Sequence, residues 1–244
     1  MAKERIDVLL VERGLSETRS KAQALVLAGQ VVAGDKCVDK PGTRVPVDIP
    51  LRLKNHPMPY VSRGGVKLKS AIDAFQLDVR GCICADIGAS TGGFTDCLLQ
   101  EGAARVYAID VGWGSLHQKL RHDARVVNRE RVNARYLTDE DLPECTSVMV
   151  IDVSFISLKC VLPVVLAKLL SGGLCIALVK PQFEVGRRYV EKGGVVRDAL
   201  ARKAAIDDMR DFVCTLGLKV LGVMDSPVLG PAGNREALLV ARCL

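Results

Sequence analysis

The chain has 244 residues, 49% of them hydrophobic, which is enough for one large domain or two smaller ones with a sizeable core. Aromatics are only 4%, which argues against a general stacking platform for single-stranded nucleic acid. The net charge of +6 sits at one end: residues 1–69 hold 13 Lys and Arg against 7 Asp and Glu, whereas residues 70–244 hold 21 of each.

Such asymmetry suits a polyanion-binding module joined to a neutral one, although a solvated basic face would give the same counts. No apolar run of about 18 residues occurs, so no membrane-spanning helix is expected. Met1 to Glu12 mixes charges with apolar residues at helical spacing and lacks the apolar core of a signal peptide. The nine cysteines are an odd number, no C-x-x-C pair exists, and the three histidines are scattered. Neither a disulfide framework nor a metal site is expected. Cys82, Cys84, Cys97, Cys160 and Cys175 read as small core residues in a reducing, cytoplasmic compartment.

In chain order, Ile6, Val8, Leu9 and Leu10 predict a helix stopping at Gly14. Ser16 or Thr18 can cap a second helix that ends at Gly29. Val31 to Val38 then predicts two short strands around a Gly34-Asp35 turn. Val45, Asp48 and Ile49 complete a unit over 1–54, and two prolines in Asn55-His56-Pro57-Met58-Pro59 mark a linker over 55–60. Arg5-Ile6-Asp7, Leu15, Thr18-Arg19-Ser20-Lys21-Ala22, Gly29-Gln30-Val31, Val45 and Asp48-Ile49 together make this unit resemble the S4 RNA-binding domain. The resemblance implies that Arg19, Lys21, Lys36 and Lys40, with Arg5, face structured RNA. Any single lysine here is more often merely solvated, and only the cluster carries weight.

Over 61–244, strand candidates at 82–87, 105–110, 147–152, 173–180, 219–225 and 236–242 alternate with helical stretches, notably 157–170 and 197–216. This alternation predicts an α/β, doubly wound parallel sheet. Ser171-Gly172-Gly173 is the predicted stop of the 157–170 helix.

The first of these strands runs into Asp86-Ile87-Gly88-Ala89-Ser90-Thr91-Gly92-Gly93-Phe94-Thr95, a strand, glycine-rich turn and helix. The turn is neither G-x-G-x-x-G nor a phosphate loop. Its acidic strand end suits a cationic group, such as the amino group of S-adenosylmethionine, and its small residues let the backbone approach a ligand. Asp110 ends the next strand, roughly 20 positions on, where a carboxylate accepts hydrogen bonds from a ribose; a helix cap is the plainer role. Asn133 either meets the adenosine region or caps a turn. Trp113 either packs on adenine or is partly buried. Asp152 and Lys180 end two further apolar strands, and a lysine there is costly to bury without a partner such as Asp152. Ser62-Arg63-Gly64-Gly65-Val66-Lys67 carries a second lysine, and Asn234-Arg235-Glu236 a further carboxylate. Gly193-Gly194 belongs to a loop whose neighbours Arg187, Arg188 and Lys192 either touch phosphates or are solvated.

Lys67, Asp152, Lys180 and Glu236 resemble the K-D-K-E tetrad of the FtsJ-like ribose 2′-O-methyltransferases. The S4 pattern, Tyr60-Val61-Ser62-Arg63-Gly64-Gly65, the glycine turn, Asp152-Val153-Ser154-Phe155-Ile156-Ser157, Lys180-Pro181-Gln182-Phe183-Glu184 and Gly233-Asn234-Arg235-Glu236 make the whole chain similar to the TlyA family, often labelled haemolysin A. The resemblance implies a Rossmann-like S-adenosylmethionine-dependent domain and 2′-O-methylation of cytidine in ribosomal RNA or ribosomal subunits. It implies 23S rRNA, with 16S rRNA in some members; the ending Arg242-Cys243-Leu244 is similar to a shorter subgroup that modifies 23S alone. It also implies S-adenosylmethionine binding by Asp86, Gly88 to Phe94, Asp110 and Asn133, RNA contact by Arg63, and catalysis by the tetrad. The hydroxyl is a poor acid, so Lys180 is expected as base or steering group. Lys67 then tunes the site and holds substrate, the carboxylates orient the lysines, and the target base is turned out of its stack. A pore-forming haemolysin and an RNA-binding module without turnover are the competing readings.

Overall fold

The computed structural model describes residues 3–54 and 59–244. The chain divides into two compact units, Met1–Pro59 and Tyr60–Leu244. Most of the predicted linker, residues 55–58, lies outside the described residues.

The first unit contains β1 (Lys3–Arg5), α1 (Ile6–Glu12), α2 (Arg19–Leu27), β2 (Val31–Ala33), β3 (Lys36–Val38), β4 (Arg44–Pro46) and β5 (Leu51–Leu53). Thr18, the second of the two predicted caps, accepts from Lys21 N and starts α2. β1 pairs with β4, and β2 sits between β3 and β5, all antiparallel. Ile6, Leu9 and Leu10 of α1 meet Ala22 and Val26 of α2 and Val31 of β2 in one core.

The second unit runs α3 (Arg63–Ala74), β6 (Ile83–Ile87), α4 (Gly93–Gln100), β7 (Arg105–Asp110), α5 (Gln118–Arg121), β8 (Val126–Glu130), β9 (Thr146–Ile151), α6 (Leu162–Val165), β10 (Leu169–Val179), α7 (Pro181–Glu184), α8 (Ala199–Thr215), β11 (Leu218–Asp225) and β12 (Ala237–Cys243). Its sheet has the order β11-β12-β10-β9-β6-β7-β8. The strands from β10 to β8 are parallel, but β12 runs antiparallel to both β10 and β11. The sheet is therefore mostly parallel rather than wholly so.

Side chains alternate across the strands, and each face is buried. Cys84, Val106, Val150 and Ile176 pack with Leu68 and Ile72 of α3 and Leu98 of α4. Ala85, Ile109, Met149 and Val179 pack on the other face with Leu162 of α6 and Met209 and Val213 of α8.

Three local expectations need correction. The predicted 157–170 helix is only short pieces, 3-10 turns at 158–160 and 166–168 around α6, and β10 already starts at Leu169. Pro163 and the branched Val161, Val164 and Val165 disfavour a longer helix. Ser171-Gly172-Gly173 lies inside β10 at a register shift between Leu169 and Leu174, with Gly172 at φ +76°. The edge strand β8 went unpredicted because only Val126 and Val127 are apolar and the rest is polar. Cys160 is exposed, not a core residue.

Candidate active site at the carboxyl edge of the sheet

The parallel strands end at one edge, and the candidate residues collect there. Asp86 is fully buried one residue before the end of β6. Its Oδ2 accepts from Thr95 N at 2.9 Å and Thr95 Oγ1 at 2.6 Å. Its Oδ1 has no partner among the described residues. Burial pushes the carboxyl pKa up to about 7, against the hydrogen bonds from Thr95. Gly88 and Ala89 donate their backbone N–H groups to Ile109 O at 2.8 and 3.1 Å, which binds the turn to the end of β7. Gly88 has φ +88°, and a Cβ on it would stand 2.5 Å from Asp152 O. Only glycine lets the turn pass this close to the end of β9.

Two clefts open over this edge. The smaller, about 250 Å³, is lined by Arg63, Lys67, Asp86, Asp152, Ser154 and Lys180 among others. The larger, about 570 Å³, is lined by Asp110, Val132, Asn133, Phe155 and Ile156 among others. Gly88, Ser90, Asp152 and Ser154 line both.

The ionisable side chains of Lys67, Asp152 and Lys180 line the smaller cleft from three places in the chain, and a fourth, Glu236, stands behind Lys67. Lys67 comes from α3, whose first turn starts at Ser62 accepting from Gly64 N. Asp152 and Lys180 immediately follow β9 and β10, and Glu236 immediately precedes β12. Lys67 Nζ donates to Glu236 Oε2 at 2.5 Å. Lys180 Nζ lies 2.6 Å from Asp152 Oδ1 and donates to Ser154 Oγ at 2.7 Å. Both lysines are buried, and the opposite charges beside them offset the loss of hydration. Glu236 Oε1 has no hydrogen-bond partner among the described residues.

The remaining predicted residues take more modest places. Asp110 accepts from Ser90 N through Oδ2 at 2.8 Å and from Gly112 N through Oδ1 at 2.6 Å, so it ties two loops together on the wall of the larger cleft. Asn133 caps a 3-10 turn by accepting from Arg135 N, and it lines the same cleft. Trp113 is not partly buried: it is 72% exposed, with the Arg131 guanidinium over its ring at 5.3 Å. Arg187, Arg188 and Lys192 are exposed. Arg63 is exposed at the start of α3.

In the first unit, the expected RNA-facing set divides. Arg5 donates to the buried Asp7 through Nε at 3.0 Å and Nη2 at 2.9 Å, and Arg19 Nε donates to it at 3.0 Å. These two guanidinium groups brace α1 and α2. Lys21 pairs with Glu17 at the surface, and Lys36 and Lys40 are exposed.

Sequence reasoning gave no role to three residues that hold the site together. Ser154 was only a letter in the block after Asp152. Glu184 accepts from Ser157 Oγ at 2.6 Å and Leu158 N at 2.9 Å, clamping the loop after β9 to the segment after β10. Asn234, 1% exposed, donates to Gly194 O at 2.7 Å and accepts from Val196 N at 2.8 Å, which fixes the Gly193-Gly194 loop. Their signal was short polar side chains within a few residues of strand ends, where loops need partners.

Among the described residues, no helix is long and apolar enough to cross a membrane. The FtsJ-like methyltransferase model matches residues 60–243, and the S4 domain model matches residues 4–48. The Bacillus subtilis protein YqxC, named provisionally as an rRNA methyltransferase, is 50% identical over 97% of this chain and 85% of its own length. The Mycobacterium tuberculosis 16S/23S rRNA (cytidine-2′-O)-methyltransferase TlyA is 44% identical over 98% of this chain and 89% of its own. A solved Streptococcus thermophilus structure, titled provisionally as a hemolysin, superposes with a TM-score of 0.77 at 44% identity, covering 100% of this chain and 89% of that one.

Proposed function

We propose that this chain, which belongs to the FtsJ-like methyltransferase family and to its S4-domain TlyA (haemolysin A) branch, transfers a methyl group from S-adenosylmethionine to the 2′-hydroxyl of a cytidine in 23S ribosomal RNA. The observation that carries the reading is the wall shared by the two clefts. Asp152, on that wall, pairs with Lys180 in the smaller cleft, which Asp86, with its Oδ1 unpartnered, also lines, so a cationic group and a nucleophile can be held side by side.

The residues present fit S-adenosylmethionine. Asp86 Oδ1 is a buried acceptor with no donor, which suits an ammonium group. Asp110 and Asn133 line the larger cleft, which has room for a nucleoside. When bound, the cofactor supplies an electrophilic methyl on a sulfonium that leaves as a neutral thioether.

This chain's own residues then act on the hydroxyl. Lys180 acts as the neutral amine, after its ammonium has released a proton to solvent: it then takes the hydroxyl proton, the O–H bond breaks, an N–H bond forms, and the oxygen's electron pair is left free to attack carbon. Asp152 holds the resulting ammonium. Lys67, fixed by Glu236, places positive charge on the far side of the cleft and anchors the ribose-phosphate. Much of the acceleration comes from holding nucleophile and electrophile in line. The S4 unit supplies phosphate contacts through Lys36 and Lys40, with Lys21 in reach, while Arg5 and Arg19 keep the face in shape.

The test is tritium transfer from labelled S-adenosylmethionine to 23S and 16S rRNA, as naked RNA and as subunits, with product nucleosides identified by mass. A 2′-O-methylcytidine in 23S rRNA is expected. Label on a base, or none on any RNA while the cofactor binds, overturns the reading. Label in 16S rRNA as well keeps the reaction and widens the substrate.

A further inference from the structure

We infer that Ser154 is a positioning residue that makes Lys180 a directional base; the inference rests on Lys180 acting on the substrate hydroxyl as proposed above. Lys180 Nζ has two oxygen neighbours. Ser154 Oγ accepts a hydrogen bond from it at 2.7 Å. Asp152 Oδ1 lies as near, at 2.6 Å, yet forms an ion pair without hydrogen-bond alignment. The carboxylate therefore supplies charge, and the hydroxyl supplies direction.

The geometry of a primary amine makes that distinction matter. An unprotonated Nζ carries two N–H bonds and one lone pair in three staggered directions about the Cε–Nζ bond. Charge alone does not choose among rotations about that bond. A hydroxyl oxygen with two lone pairs accepts along a narrow set of directions. With one N–H held on Ser154 and the other drawn toward Asp152, the remaining direction belongs to the lone pair. Lys180 is only 8% exposed and lines the smaller cleft, and we take the lone pair to face that cleft.

Ser154 is itself held in place. It lies between Asp152, on the wall of both clefts, and Phe155, whose φ of +63° is the left-handed region. The loop that imposes this turn is clamped three residues on by Glu184, through Ser157 Oγ and Leu158 N. The Phe155 and Phe183 rings meet at 5.4 Å, tying the two segments again. The backbone that carries the Ser154 hydroxyl is thus anchored close to Lys180. After proton transfer, Lys180 keeps the same two partners and gains one N–H bond, so the site needs no rearrangement.

The experiment compares Ser154→Ala, Ser154→Thr and Lys180→Ala in single-turnover and steady-state methyl transfer to the RNA substrate, with cofactor binding measured by calorimetry. Ser154→Ala is expected to lower kcat by about tenfold to a hundredfold, less than the roughly 10²–10⁴-fold that a general base contributes, because the base is misaligned and not removed. KM for RNA and cofactor affinity stay within twofold, because Ser154 holds the base and not the ligands. Ser154→Thr, which keeps the hydroxyl, recovers most of kcat. A Ser154→Ala enzyme with parental kcat beside an inactive Lys180→Ala enzyme overturns the inference and spares the role of Lys180. A rise in KM at unchanged kcat overturns it in favour of substrate contact. An active Lys180→Ala enzyme overturns the reading on which the inference rests.

Discussion

Lys67 Nζ donates to Glu236 Oε2 at 2.5 Å although the residues are 169 positions apart in sequence, and the pair is enclosed, at 9% and 0% side-chain exposure. It links α3, at the start of the second unit, to the edge of β12, near its end. Neither charge is tolerable there alone, because removing one leaves the other buried without compensation.

Glu236→Ala should therefore cost about 3–5 kcal/mol of stability, as for other buried pairs broken on one side. Replacing both residues, Lys67→Met with Glu236→Leu, should cost less than the two single changes together. Urea unfolding of the three variants measures this. An unchanged midpoint in Glu236→Ala would show that the pair does not hold the fold.

The buried Asp86 carboxyl predicts a pH dependence. Its pKa is raised from 3.8 to about 7 by burial. A cationic ligand group binds its ionised form, so S-adenosylmethionine affinity should fall as pH drops below about 7, approaching tenfold per unit. Stability of the ligand-free protein has the opposite sign. This group's contribution is fully present below pH 3.8 and is lost as pH rises through about 7, because the folded state holds the proton longer. Calorimetric titration and thermal melting across pH 5.5 to 8.5, with Asp86→Asn as control, test both; the asparagine variant should bind weakly and without this slope.

Gly88→Ala should remove cofactor binding more completely than Asp86→Asn. The added Cβ would meet Asp152 O at 2.5 Å from a backbone already at φ +88°. The turn must then move away from β9, which displaces both Asp86 and Asp152. Equilibrium binding of the cofactor, alongside a melting curve to verify folding, reads this out. Near-parental affinity in Gly88→Ala would show that the turn has slack the geometry denies.

In the first unit, Asp7 is the node. Hydrogen bonds from Arg5, then from Gln23 and Arg19, hold its carboxyl well below the usual carboxylate range. A depressed value contributes stability above pH 3.8 that is lost as pH falls below it. Asp7→Ala should cost the unit about 1.5–3 kcal/mol, the scale of a hydrogen bond to a charged group. Hydrogen exchange of residues 3–54 in the intact chain measures the loss; protection equal to the parent would place the unit's stability in its apolar core alone. RNA affinity should fall with it if, as proposed above, this unit holds the RNA.

Glu184 and Ser157 should be coupled. Glu184 is buried enough that its pKa is raised, and it accepts from Ser157 Oγ and Leu158 N. A double-mutant cycle of Glu184→Gln and Ser157→Ala should give an interaction energy of about 0.5–3 kcal/mol, with methyl transfer falling in Glu184→Gln. Strict additivity would mean the clamp is incidental.

The chain alone specified what depends on local pattern. Short apolar runs marked β6, β7, β9, β10, β11 and β12, and turn chemistry marked the glycine-rich loop after Asp86, because these are set within about ten residues. Candidate residues at strand ends were also legible, since a charge closing an apolar run is conspicuous in sequence. What local pattern left open was partnership. Only the folded chain brings Lys67 to Glu236, sets Ser154 rather than Asp152 as the aligned acceptor of Lys180, and joins Arg5 and Arg19 at Asp7. Local pattern misread 157–170 as one helix, because Pro163 and the branched valines around it leave only short turns there, and Leu169 already pairs with Thr146 of β9, a gain visible only once those strands are side by side.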